Sequence, residues 1–471
     1  MLFRTGERVS KRLIEESERL LLTNRFLYEV SIRPIAYHDG VADIEVRTRD
    51  TWTLEPGISA SRAGGTNRRG LTLIDTNLFG TGISAGIKRS SDVERTSTEY
   101  RVTQPHAFDG WTTLDYSHTR LSDGLSRSAS VTRPFYALDT RWAAGASAST
   151  DNRINYIFGA NPGQYRHWQD KAETFGGVSP GLVNGWAQRY SLGVSYRKDT
   201  YEAQIPFPAE LPVDQTLVTP FVRYEAVEDD FARVKNRDLI ERTEFFAMGF
   251  QSKLQLGRSL PALGSTQRLW LYSASASDGF RLPRGQTLLL SGSLGGQSGY
   301  NPLDRQSWNG SIRFYGNPGG GTLLFSSLSG GALRDPTAST QLLLGGETGL
   351  RGYPRNYQSG DRFALFSVEQ RVYTDWYPFR LLRVGGAVFY DLGRAWGGPS
   401  QVTLNSAGPQ PASSRQSTVN AGWLNDVGLG LRILSARSAF GNVLHIDLAF
   451  PLNREPGIRS MQLLVSTKVT L

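Results

Sequence analysis

From Trp52 to Leu471 the chain repeats one texture: short runs in which apolar and polar residues alternate, separated by Gly, Asp, Asn, Ser and Pro. Tyr190, Leu192, Val194 and Tyr196 alternate with Ser191, Gly193, Ser195 and Arg197. Phe246, Met248 and Phe250 alternate with Phe245, Ala247, Gly249 and Gln251, and Leu444, Ile446, Leu448 and Phe450 with Val443, His445, Asp447 and Ala449. A period of two is the signature of strands with two unlike faces. In a soluble sandwich the apolar face points inward; in a membrane barrel it points to lipid and the polar face lines the lumen. Periodicity alone does not separate the two. The length of the series, the aromatic residues near strand ends and a chain that stops on an alternating strand all favour the barrel, which closes on its terminal strand and leaves no edge in lipid. In that last strand Met461, Leu463, Val465, Val469 and Leu471 share one face, and Gln462, Ser466, Lys468 and Thr470 the other. At about 26 residues per strand and connection, with ~9–11 residues per span, the pattern predicts about sixteen strands. The fold class expected is therefore an all-β, antiparallel transmembrane barrel over residues 51–471. Its long polar connections fall near 158–186, 226–242, 328–361 and 396–422, expected on the outer side, with 396–422 a mobile outer loop; Arg281-Leu282-Pro283-Arg284-Gly285 is a tight turn.

The first fifty residues read differently. Ser10 is a candidate N-cap, and Leu13, Ile14, Ser17, Leu20 and Leu21 then share a helical face, with Lys11, Arg12, Glu15, Glu16 and Glu18 towards water. Asn24 is placed to end the helix in a left-handed turn. Extended runs over Phe26–Ile35 and Val41–Thr48 flank Asp39-Gly40, a strong hairpin signal. Helix then hairpin is the second half of a βααββ unit.

Composition narrows the chemistry. The 471 residues contain no Cys, so disulfides and thiolate metal sites are excluded. The five His (His38, His106, His118, His167, His445) have no HExxH spacing, and no metal site or cofactor is expected. Mean hydropathy is −0.34 and no apolar run approaches the ~18 residues of a membrane helix, which leaves a barrel untouched. The formal charge of +9, mostly from Arg, fits a polar interior or attraction to anionic lipid; no aromatic-basic recognition motif suggests nucleic acid. Gly82-Ile83-Ser84-Ala85-Gly86 and Gly177-Val178-Ser179-Pro180-Gly181 both match G-x-S-x-G, but neither lies on a strand-to-helix turn, and no enzyme is expected. Met1-Leu2-Phe3-Arg4 does not open a signal peptide, which an outer-membrane protein needs, so either the start is cut back or the outer-membrane class does not hold.

One stretch breaks the alternation: Gly345-Gly346-Glu347-Thr348-Gly349-Leu350-Arg351-Gly352-Tyr353. Downstream, Phe363, Leu365, Ser367, Glu369 and Arg371 share one strand face, and Gly385, Ala387, Phe389, Asp391 and Gly393 share a face of the next strand. Both faces point to the lumen. Two inward carboxylates on adjacent strands, Glu369 and Asp391, repel unless a cation joins them. Arg351 is the candidate, since its planar fork holds carboxylates bidentately and the glycines beside it allow close approach to the wall. The loop is expected to fold back into the barrel.

This ordered set, with Asn77-Leu78-Phe79-Gly80-Thr81-Gly82 as the turn after the first barrel strand, resembles the BamA/TamA superfamily of outer-membrane barrels (the bacterial surface antigen family). The resemblance covers nearly the whole chain. It implies that Leu350-Arg351-Gly352-Tyr353 is the tip of an outer loop tucked into the lumen, with Phe389, Asp391, Gly393 and Glu369 as its wall partners. It makes residues 1–50 the C-terminal part of a periplasmic POTRA domain entering the barrel. It implies a Gram-negative outer membrane, with lipid and client polypeptides as partners: unfolded barrel proteins for an insertase, or one secreted partner for a two-partner secretion pore. A periplasmic or inner-membrane partner would bind through the POTRA region. The family's working model opens a seam between first and last strands, here Ile58 and Ser59 against Lys468, Val469 and Leu471; Pro56 and Gly57 weaken pairing there. A passive porin or lipid-related barrel is the remaining alternative. Two departures stand out: only part of one POTRA domain is present, and the chain ends in Leu471 where many such barrels end in Phe.

Overall fold

Helix α1 (Lys11–Leu21) starts where Ser10 accepts a hydrogen bond from the Leu13 N–H. Its apolar face packs on Phe3, Leu27, Val30 and Ile32. Asn24 closes the helix end through its side chain, Nδ2 donating to the Leu21 carbonyl at 3.1 Å, and its backbone is not left-handed. Strands β1 (Leu27–His38) and β2 (Val41–Asp50) form a hairpin through Asp39 and Gly40, both at positive φ, as a tight right-twisted turn requires. Glu16 and Glu18 are buried rather than facing water. The reason is a surface that periodicity cannot reveal: Glu16 accepts from the Leu138 N–H at 2.7 Å on a barrel turn, and Glu18 from the Ile32 N–H at 2.7 Å.

The computed structural model describes residues 1–471 except 64–65, 93, 158–162, 207–210, 300–303, 317–320, 337–339, 398–421, 437–442, 455–457 and 469–471. Among the described residues, twenty long strands and the two-residue strand Leu182–Val183 form one closed barrel, with every neighbouring pair antiparallel. An even number of crossings brings Lys468 back to the end from which Leu54 departed. That end, which carries the helix and hairpin of residues 1–50, is called the near end below. Bulky apolar side chains such as Ile58, Leu71, Leu192, Val222, Leu254, Val388 and Leu429 stand exposed on the outer wall, and among the described residues no helix is long and apolar enough to cross a membrane.

Twenty strands replace the expected sixteen because connections are shorter than the assumed spacing. Leu121 and Gly124 pair across a two-residue turn, and the supposed connection 158–186 contains the 16-residue strand Gly163–Val178. Over its far half that strand carries polar residues on both faces (Arg166, His167, Gln169, Asp170), so its alternation is lost. Leu54–Ala63 and Thr66–Asp75 are separate strands, so the Asn77–Gly82 turn follows the second barrel strand rather than the first. Residues 226–242 are not an outer loop. Among the described residues strands Phe231–Lys235 and Thr243–Ala247 pair only with each other, at the near end, so Phe246 is not part of the wall. Most of 396–422 lies outside the described residues, as do Val469 and Leu471.

Candidate functional site

The connection between strands Thr322–Arg334 and Arg362–Tyr373 folds into the lumen. Leu342–Leu344 and Gln358–Gly360 pair as a small inner hairpin, from which residues 345–357 hang. Its apolar side chains make a compact core with the wall: Leu344, Leu350, Tyr353 and Tyr357 pack with Ala395, Leu424 and Ile458, and with Phe363 and Leu365. Glycine is required at three points. A Cβ on Gly345 would strike the Pro354 carbonyl, one on Gly349 the Leu365 side chain, and one on Gly352 the Cβ of Asp426. Gly345 and Gly349 also sit at φ of 129° and 123°, where L side chains are strained. On the wall, a Cβ on Gly393 would crowd Leu365 and Leu344, so this glycine leaves room for the inner hairpin.

At the tip Arg351 is 4 % exposed. Its Nε donates to Asp391 Oδ2 at 2.7 Å and its Nη2 to Asp391 Oδ1 at 2.9 Å, a bidentate fork. Nη1 donates to Glu369 Oε2 at 3.1 Å and to Asp447 Oδ2 at 3.4 Å. The guanidinium carbon lies 3.3 Å from the centroid of the Phe389 ring, in stacking range. Tyr353 is fully buried, and its hydroxyl lies 3.0 Å from the Asn425 carbonyl and 3.3 Å from that of Asn453, within reach of donating to either. Arg351, Gly352, Tyr353, Glu369, Phe389, Asp391 and Gly393 are thus brought together at one place.

The site is larger than the sequence reading. Glu369 Oε1 also accepts from Arg371 Nε at 2.9 Å and from Arg432 Nη2 at 2.9 Å, and Arg432 Nη1 reaches Asp447 Oδ1 at 2.6 Å. Ser367 Oγ donates to Asp391 Oδ1 at 2.6 Å, and Asp426 faces Asp391 across the strand ladder. Three ion-paired carboxylates (Glu369, Asp391, Asp447) and three guanidiniums (Arg351, Arg371, Arg432) are therefore buried in one cluster, and the Asp426 carboxyl beside them makes no ion pair among the described residues. Charges in such a place persist only when paired and hydrogen-bonded. Strand parity contained the missing signal: Arg432 and Asp447 sit on the polar faces of strands Leu424–Ser435 and Val443–Pro451, where a buried lumen turns every inward charge into a partner. The loop's other arm has no such signal. Glu347 pairs with Arg68, and Arg355 Nη1 with Asp92 Oδ2 at 3.2 Å, so the loop is tied to the second barrel strand and to the connection after the third.

The seam is the second feature. Among the described residues the last strand, Gln462–Lys468, meets the first, Leu54–Ala63, over three residue pairs: Leu463 with Arg62, Leu464 with Ser61 and Val465 with Ala60. The neighbouring ladders run over seven and ten pairs. Among the described residues the seam ladder stops towards the near end at Ala60 and Val465, and Ile58 and Ser59 make no ladder pair with Ser466, Thr467 and Lys468. Pro56 has no N–H to give a ladder there.

Among the described residues no group of His, Cys, Asp and Glu could hold a metal ion. No family model matches the sequence, and no curated protein matches it at a significant level. Solved structures do show likeness. BamA from Haemophilus ducreyi lacking POTRA domains 1-3 aligns over 99% of this chain and 80% of its own at 13% identity, with a TM-score of 0.41. CdiB from Escherichia coli aligns over 99% of this chain and 72% of its own, also at 13% identity, with a TM-score of 0.48. The copper transporter OprC aligns over 92% and 73% at 10% identity, with a TM-score of 0.40.

Proposed function

We propose that this chain is an outer-membrane barrel that inserts client polypeptides into the membrane or passes them across it, opening at its short seam while the loop held by Arg351 braces the wall beside it. The observation that carries this reading is an inward loop that roofs one half of the lumen, beside a seam of three ladder pairs among the described residues. A passive pore needs the opposite: an open lumen and a fully paired wall. In this reading Arg351, Gly352 and Tyr353 latch the loop to Glu369, Phe389, Asp391 and Gly393. The Arg68 and Arg355 ion pairs carry the loop's other side to the strands next to the seam. An extended client strand would pair with the edge at Ile58 and Ser59, gaining the ladder that Ser466 and Thr467 leave unmade. Residues 1–50 would be the last part of a POTRA-like domain on the periplasmic side, available to a periplasmic or inner-membrane partner.

Because the chain has no native Cys, Ser61→Cys with Leu464→Cys, Cα partners across the seam, makes a clean lock. The oxidised lock is expected to abolish client handling and reduction to restore it; full activity while locked rules out seam opening. A comparative proteome of outer membrane and culture medium, with and without the protein, sets the task. Loss of many barrels marks a general insertase, loss of one secreted polypeptide a dedicated secretion pore, and no change in either fraction excludes both.

A further inference from the structure

Residues 229–250 leave the wall between strands Gln215–Glu228 and Gln251–Arg258, whose own ladder closes beneath them, with Val227 paired to Gln251. The hairpin Phe231–Lys235 and Thr243–Ala247 then crosses the near end to strands far round the barrel. Its tip is held there by hydrogen bonds and packing. Arg237 Nη2 donates to the Gly285 carbonyl at 2.7 Å, Tyr315 Oη donates to Asp238 Oδ1 at 3.0 Å, and Arg371 Nη1 donates to the Arg237 carbonyl at 2.7 Å. Leu239 and Ile240 pack with Leu434 and Val443, and Phe246 packs on Tyr315, Leu323 and Phe325. Apolar side chains on the lumen face of a membrane barrel are out of place unless something covers them, and this hairpin is the cover.

The N-terminal unit holds the hairpin along its length, from Phe231 at the root to Arg242 at the tip. Glu18 Oε2 lies 3.6 Å from Arg233 Nη1, the Arg19 guanidinium stands over the Phe231 ring at 4.3 Å, and Arg242 Nη2 donates to the Leu27 carbonyl at 3.3 Å. From the tip, one residue leads to the loop site: Arg371 joins the Arg237 carbonyl to Glu369, whose other oxygen accepts from Arg351.

We infer that residues 229–250 are a plug that closes the near end of the lumen, clamped by the N-terminal unit and coupled to the Arg351 loop through Arg371 and Glu369. Displacement of residues 1–50 by a partner would release the hairpin, withdraw the Arg237 carbonyl from Arg371 and loosen the far-side loop. This regulates the proposed transport reading and rests on it for its purpose, but the plug itself is tested by ion current, which needs no client.

The experiment uses the full chain in planar bilayers. Replacing residues 231–247 by a short Gly-Ser linker is expected to give a severalfold rise in steady conductance, with heat-modifiable gel mobility reporting that the barrel still folds. The second variant, Ile240→Cys with Val443→Cys, places two thiols in one packed cluster of the otherwise cysteine-free chain. Joining them with a short reducible crosslinker is expected to suppress spontaneous openings, and a reductant to restore them. Glu18→Ala with Arg242→Ala, at the clamp, is expected to raise opening frequency severalfold in the reduced form and not in the crosslinked one. A folded, hairpin-less barrel with the conductance of the intact chain overturns the plug, as do openings equally frequent with and without the crosslink. Unchanged openings in the Glu18→Ala, Arg242→Ala protein overturn the clamp. A plug that behaves as expected beside an unchanged proteome leaves the plug standing and removes the transport reading.

Discussion

Arg101 and Arg351 have the same kind of neighbourhood and opposite fates. Arg101, on the lumen face of strand Thr96–Ala107, reaches towards Asp115 at 3.4 Å and Glu99 at 4.0 Å, and Thr103 donates to the same Asp115. Arg351 lies between Asp391 and Glu369, and Ser367 donates to Asp391. The Arg101 side chain is 55% exposed and that of Arg351 is 4% exposed. One half of the wall looks onto open lumen; the other is roofed by the inward loop and the near-end hairpin. An exposed ion pair gains about 0–1 kcal/mol after screening and side-chain entropy. In the roofed half, removing one partner strands a charge without water, at a cost of about 3–5 kcal/mol. The lesson is that the loop creates the worth of its own latch by excluding solvent from it.

The comparison breaks most visibly at Arg351. Arg351→Ala is expected to cost about 3–5 kcal/mol in urea unfolding followed by heat-modifiable mobility. Asp391→Ala should cost a similar amount, and the double variant clearly less than the sum, with about 0.5–3 kcal/mol of coupling. Fully additive effects would remove the latch from the account. Arg351→Lys keeps the charge but loses the fork and the stack on Phe389, and should rescue only in part.

The near-end hairpin gives an intermediate, pH-dependent effect. Burial, with Asp238 nearby, pushes the Glu244 carboxyl up to about 7 from an ordinary value of 4.5, against the opposing N–H bonds from Arg237 and Asp238. The docked hairpin therefore holds a proton that the undocked one releases. This contribution to docking is fully present below about pH 4.5 and is lost as pH rises through about 7. Openings in planar bilayers should be more frequent at pH 8 than at pH 5, and Glu244→Gln should flatten the slope. A slope unchanged in that variant would assign the effect to another group.

The smallest effect belongs to the open half. Arg101→Ala should change stability by less than about 1 kcal/mol, and raised salt should shrink the change further. A loss as large as that of Arg351→Ala would mean that this half of the lumen is also closed to water.

Much of this was legible in the chain. Once the length of the series, the aromatic strand ends and the alternating last strand favour a barrel, a side-chain period of two assigns each strand residue to lipid or lumen, so Glu369 and Asp391 could be placed inward and Arg351 matched to them. The Asp39-Gly40 turn and the Ser10 cap are local and were equally readable. Strand number was not, because Gly163–Val178 is polar on both faces over its far half and hides as a connection. Nor was the near-end hairpin: Phe246 and Met248 alternate as a wall strand does, and only the lumen-facing Tyr315, Leu323 and Phe325 explain where such a strand can lie.

By itself, then, the sequence determined an antiparallel barrel with an inward arginine loop, because strand faces and glycine-permitted turns are properties of neighbouring residues. Only the packing of distant segments decided which of the inward charges meet Arg351, that Glu16 and Glu18 are buried against the barrel and the hairpin, and that residues 229–250 cross the near end. Each depends on which distant segment excludes water from a given side chain, and burial by a distant segment leaves no local pattern in a chain.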